Sequence, residues 1–137
     1  MNQQHSEQSA TFTLHDQIAQ LQLTIEIKLD FESDVLQKRI TVKNIGDSKY
    51  ALSKLSSTLP VANHANELMT FYGRWSREFQ THRQQFSHGG FMQENRRGRT
   101  SHENFPGLFV GSEHFTEQSG QVWGFHLGWS GNHQLRA

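Results

Sequence analysis

Within 137 residues, thirteen Lys and Arg balance thirteen Asp and Glu, and hydrophobic residues make up 34%. The length suits one domain with a modest core, and the neutral balance gives no global attraction to nucleic acid or to a membrane surface. With no cysteine there is neither a disulfide framework nor thiolate chemistry, and no apolar run is long enough to cross a bilayer.

Residues 1–9 are polar and read as a disordered tail, lacking the basic end and apolar stretch of a signal peptide. A cytoplasmic location is the expectation. Residues 10–137 read as one domain. Thr11 to Leu14 alternates apolar and polar side chains over one short strand. Leu21 to Phe31 alternates without a break. A period of two places Leu21, Leu23, Ile25, Ile27, Leu29 and Phe31 on one face and sends Glu26 and Lys28 to the other. Val35 to Lys43 repeats the pattern, with Ile40 and Val42 inward. It breaks at Asn44-Ile45-Gly46-Asp47, residues that favour a turn. Tyr50 to Leu59 is predicted as a further strand ended by Pro60. Ala62 to Met69 has room for one helical turn at most. Leu68 to Trp75, Glu78 to Phe86, Phe105 to Val110 and Val122 to Trp129 complete the predicted strands. Short strands with turn signals between them indicate an all-β chain, an antiparallel β-sandwich.

The halves differ in chemistry. All five lysines lie at or before Lys54, while seven of the eight arginines lie at or after Arg74. The second half therefore carries the recognition-type side chains. No Pro-, Gly- or Ser-rich linker separates the halves, so the asymmetry is not read as a domain boundary.

The densest recognition chemistry lies in Glu94 to Pro106, where three arginines, one histidine and two asparagines share thirteen residues. Arginine offers a rigid fork of donors, and Asn and His offer donors and acceptors. The set suits a polyhydroxylated ligand, a phosphate or a subunit contact; a solvated basic loop has the same composition. Trp75, between Arg74 and Arg77 and just after Gly73, is either a sugar-stacking face or an inter-sheet core residue. Trp123 and Trp129 read as core. His102, His114, His126 and His133 match no zinc spacing, so no metal is expected. No nucleophile elbow or phosphate-binding glycine loop occurs.

Three motifs in order carry a family resemblance. They are Gly73-Arg74-Trp75-Ser76-Arg77-Glu78-Phe79, the Glu94 to Pro106 segment, and Gly120 to His133 with its Trp123-Gly124-Phe125 and Trp129-Ser130-Gly131-Asn132. Together the chain, over roughly residues 20 to 137, resembles the N-terminal β-sandwich domain of glycoside hydrolase family 36 α-galactosidases. The resemblance implies a supersandwich-like fold, incomplete at its N-terminal side. The family's Asp-[Phe/Tyr]-Arg motif is not found before Leu21. The family's catalytic aspartates sit on a separate (β/α)8 barrel, the nucleophile after a Lys-Trp-Asp motif that this chain lacks. The chain is therefore expected to be an inactive fragment of a retaining glycosidase, needing no cofactor. The resemblance assigns Trp75 to α-galactoside contact. Arg96, Arg97, Ser101, His102 and Asn104 are expected to organise a loop or edge the pocket. Partners implied are the remaining enzyme domains and a homotetramer, with no nucleic acid or membrane. A free-standing carbohydrate-binding module or an oligomerisation domain is the alternative.

Overall fold

The computed structural model describes residues 2–86 and 89–137. The chain divides into two compact units, Met1–Thr58 and Leu59–Ala137. Every regular element among the described residues is a strand, and no helix there is long and apolar enough to cross a membrane. The all-β, antiparallel class expected from the alternating patterns is what the chain adopts.

The first unit is a four-stranded meander of β1 (Asn2–His5), β2 (Ser9–Asp16), β3 (Leu21–Asp30) and β4 (Val35–Asn44) in sequential order. Its register stacks Phe12, Ile25 and Ile40 across three strands, and Leu14, Leu23 and Val42 beside them. The partly covered face holds Leu23, Ile25, Ile27, Ile40 and Val42 as the period of two requires, with Glu26 and Lys28 exposed. Phe31 falls beyond the strand and is exposed. Asp16 Oδ1 accepts from Ile18 and Ala19 N–H, both at 2.9 Å, and closes the first long turn. Asn44 closes the end of β4 by accepting from Gly46 N–H at 3.0 Å.

Two expectations for this unit differ from the structure. Asn2–His5, expected in a disordered tail, pairs with Thr13 to Ala10 through backbone ladders alone, with every side chain exposed. Composition cannot register pairing of that kind. Met1 lies outside the described residues. Tyr50 to Leu59 forms no strand, and Tyr50, Leu52, Leu55 and Leu59 are substantially exposed. The three-residue step from Leu52 to Leu55 switches faces, so a strand here would split Tyr50 and Leu52 from Leu55 and Leu59 and give no continuous apolar face. The division of the chain falls at the end of this segment, close to the change from lysine to arginine usage, in place of the single unit expected from residue 10 onward.

The second unit contains a sheet ordered β6-β5-β8-β9, built from β5 (Glu67–Arg74), β6 (Arg77–Gln85), β8 (Gly107–Gly111) and β9 (Val122–His126). A two-stranded ribbon pairs β7 (Met92–Asn95) with β10 (His133–Arg136). The sheet buries side chains on both faces. On one face Leu68, Leu108 and Val110 form the aliphatic core with Ala65, and Trp123, Phe125 and Leu135 pack against them. Leu135 comes from the ribbon, so the ribbon covers this face. On the opposite face Phe71 meets Phe79, Phe105 and Phe109 edge to face at centroid distances of 5.6–6.3 Å. The two ribbon strands were not anticipated: each is four residues long, too short to display a period.

A buried carboxylate ties this sheet to the loop after β8. Glu67, 4% exposed, accepts from Arg83 Nε at 2.5 Å and from His114 N–H at 2.5 Å. Arg83 also donates to Phe115 O at 2.7 Å and lies 4.2 Å over the Phe115 ring. Burial pushes the Glu67 carboxyl up, but the Arg83 and His114 hydrogen bonds and the two nearby cationic side chains outweigh it, so it titrates below the ordinary glutamate value. A depressed folded pKa means the unfolded chain takes up this proton first as pH falls. The stabilisation is complete above the ordinary value of 4.5 and is lost as pH drops through the folded one. Glu67→Gln should lower stability at neutral pH by about 1–3 kcal/mol and flatten the acid limb of a stability-versus-pH curve from urea unfolding. An unchanged acid limb would show that the carboxylate is not the titrating group. In the meander, Ile25→Ala should cost about 1–3 kcal/mol and Glu26→Ala less than about 0.5 kcal/mol; reversed values would contradict the facing.

Candidate functional site

The hairpin joining β5 to β6 begins with a bulge. Register shifts between Tyr72 and Arg74, and Gly73 takes φ = 143°. A Cβ on Gly73 would stand 2.0 Å from the Arg77 carbonyl oxygen, so only glycine fits. Arg74 then pairs directly with Arg77, leaving Trp75 and Ser76 as a two-residue tip. Ser76 has φ = 65° and donates its N–H to Glu78 Oε1 at 3.0 Å. The tip presents Trp75 with 90% of its surface exposed. The core alternative for this residue is therefore excluded within the chain, because no element of the second unit covers the ring.

The arginine-rich loop is organised by a residue that sequence reasoning did not single out. Asn95 ends β7 and is fully buried. Its Nδ2 donates to Arg99 O at 2.6 Å and to Gly131 O at 3.4 Å, and its Oδ1 accepts from Arg97 N–H at 3.2 Å. Gly98, at φ = 72°, donates its N–H to Asn132 Oδ1 at 2.7 Å, and Thr100 N–H reaches Ser130 O at 2.9 Å. The loop is thus stitched to the segment before β10. An asparagine immediately before Arg-Arg-Gly is a turn-forming signal, and it was legible had its burial been foreseen.

The named loop residues do not converge on one point. Arg96 turns to Glu94, with Nε to Oε2 at 2.8 Å. Arg97 pairs with Glu103. Both arginines therefore hold carboxylates, as an organised loop requires. Ser101 and Asn104 form an isolated antiparallel bridge that narrows the loop, and His102 sets its ring edge-on to Phe79 at 5.0 Å.

The loop has a hollow on each side. One, of about 660 Å³, lies between Arg74, Arg77 and Gln80 of the hairpin and Arg97, Glu103 and Asn104 of the loop. The other, of about 580 Å³, is bounded by Ser101 and His102 together with Phe105, His126 and Trp129. The structure thus places Arg97 and Asn104 on one side, Ser101 and His102 on the other, and Arg96 on neither. Trp75 stands at the hairpin tip beside the first hollow's strand residues without lining it. Trp129 is no core residue. β9 ends at His126, and the indole is 62% exposed. Its strand-like spacing from Trp123 misled, because Gly128 and Gly131 belong to a loop. Among the described residues no three His, Cys, Asp or Glu side chains gather as a metal site.

The first hollow offers planar donors of two arginines, the amides of Gln80 and Asn104, and one carboxylate already engaged by Arg97. That arrangement can hold hydroxyl groups or an anion; it contains no nucleophile and base pair for hydrolysis. Gly73→Ala should displace the hairpin tip and cost about 2 kcal/mol or more, while Asn95→Ala should cost about 1–3 kcal/mol and release the loop. Amide exchange confined to residues 95–104 in the second variant would be the local signature, and unaltered protection there would contradict the role given to Asn95.

A model of the glycosyl hydrolase family 36 N-terminal domain matches residues 1–137. An α-galactosidase of Escherichia coli is 47% identical over 133 residues, which cover 97% of this chain and 19% of that protein. The galactosidase domain of the α-galactosidase–sucrose kinase AgaSK superposes with a TM-score of 0.84 at 25% identity, over 93% of this chain and 18% of that one. The α-galactosidase AgaA of Geobacillus stearothermophilus, solved in complex with stachyose, shares the fold with a TM-score of 0.80 at 22% identity over 97% of this chain and 19% of that one. The chain spans less than a fifth of the length of each.

Proposed function

We propose, because the chain belongs to the glycosyl hydrolase family 36 N-terminal domains, that it serves an α-galactosidase as a substrate-side wall and carries no catalytic carboxylate of its own. The observation supporting this is Trp75. A bulge that only glycine can form and a two-residue tip hold out an indole that is 90% exposed, an apolar face that no described residue of its own unit covers. A galactoside presents a C–H face that suits such a ring, and hydroxyl groups that suit the amides and guanidinium groups of the neighbouring hollow. Oligosaccharides of the kind held by the G. stearothermophilus enzyme, stachyose among them, are the substrate class in this reading. Arg96, Arg97, Ser101, His102 and Asn104 act by shaping the loop at the pocket edge. A cytoplasmic location, contact with the remaining enzyme domains, and assembly as a homotetramer complete the proposal.

Sugar stacking on an indole is largely apolar burial. Its loss in a complete α-galactosidase carrying this sequence should cost about 1–3 kcal/mol. Trp75→Ala should therefore raise KM or lower kcat/KM roughly tenfold to a hundredfold, with the unfolding midpoint unchanged. The 137-residue chain alone should not hydrolyse nitrophenyl α-galactoside. Unaltered kinetics in the variant would remove Trp75 from the pocket, and turnover by the isolated chain would remove the assignment of catalysis elsewhere.

A further inference from the structure

The second hollow, on the far side of the arginine-rich loop, is unused by the function proposed above. We infer that it is a separate binding site for a neutral pyranose, with Trp129 as its platform and His102 and His126 as its polar rim.

The platform is built in place. Trp129 Nε1 donates to Asn132 O at 3.1 Å, which fixes the plane of the indole. Gly131 lies against the ring; a Cβ there would come 2.7 Å from Nε1 and 3.0 Å from Cε2, so a side chain at this position would displace the indole. An aromatic ring held this firmly, yet 62% exposed, has already given up its rotamer freedom before any ligand arrives. The polar rim is equally fixed. The His126 ring stands edge-on to Phe105 at 5.7 Å and the His102 ring edge-on to Phe79 at 5.0 Å. Each neutral imidazole can donate at one nitrogen and accept at the other, and both rings are exposed at the hollow.

The chemistry of the walls selects the ligand. No Asp, Glu, Lys or Arg lines the hollow, so a charged ligand would lose hydration and find no counter-charge. A purely apolar ligand would cover the indole but strip water from the imidazoles without replacing their hydrogen bonds. A ring with one C–H face and hydroxyl groups around its edge satisfies both surfaces. The inference does not rest on the role given to Trp75, which stands at the tip of a different hairpin.

The test is a titration of the uniformly ¹⁵N-labelled chain with methyl hexopyranosides, following the indole N–H signals. The Trp129 signal should shift and saturate with a dissociation constant on the order of millimolar, while the Trp75 signal stays in place. Trp129→Ala should weaken binding at least tenfold, and His126→Ala, which leaves the platform intact, severalfold. Benzyl alcohol, a ring without a hydroxyl rim, should bind more weakly than the hexosides. A titration without saturation, an undispersed spectrum, binding unaffected by both substitutions, or tighter binding of benzyl alcohol overturns the inference. A Trp75 shift without a Trp129 shift also overturns it, and leaves the proposed galactoside contact standing.

Discussion

The arginine-rich loop, and with it the wall between the two hollows, depends on one buried amide. Asn95 donates to two carbonyls and accepts from one N–H of the second unit, and in doing so it fixes the path from Arg96 to Thr100. A buried amide with partners on both ends is costly to disturb, because each severed bond leaves a desolvated group behind. The ion pairs of Arg96 and Arg97 are secondary. They are largely exposed and weak on their own, and they act on a backbone that Asn95 and Gly98 have already shaped.

The sheet beneath the loop explains why it can be decorated so heavily. Leu68, Leu108 and Val110 meet an aliphatic core on one side, while Phe71 and Phe109 meet aromatic neighbours on the other. A strand buried on both faces is an inflexible support. It leaves the hairpin tip and the loop as the places where polar groups and an exposed Trp75 can be carried without weakening the core. The Glu67–Arg83 pair secures the opposite end of the same two strands, so the β5–β6 hairpin is held at its base by charge and at its tip by a glycine bulge.

The legible part of this architecture was local and periodic. The unbroken alternation of Leu21 to Leu29 fixed a strand and its facing, and Asn44 to Asp47 fixed a turn. Residues whose role comes from burial were not legible. Asn95 looks like any loop asparagine until it is enclosed, and Glu67 looks like a solvated acid until Arg83 reaches it from sixteen residues away. Tyr50 to Leu59 failed for a different reason: it has the β-compatible residues without the two-residue spacing. Trp129 differs because β9 ends at His126, three residues before it, so the two-residue spacing from Trp123 no longer governs its facing. Of the site, the motif order around Trp75 and Arg96–Asn104 pointed to the right segments, but it could not show that the loop divides its own residues between two sides.

That division has a thermodynamic meaning. Residues 97 to 104 form a septum only a few side chains thick, with Arg97, Glu103 and Asn104 facing one hollow and Ser101 and His102 the other. Ser101 to Asn104 of this partition form a single bridged turn. Were a ligand on one side to shift that turn, it would reposition the wall on the other, and such a linkage would be reciprocal: whatever the first ligand did to the affinity of the second, the second would do to the first by the same factor.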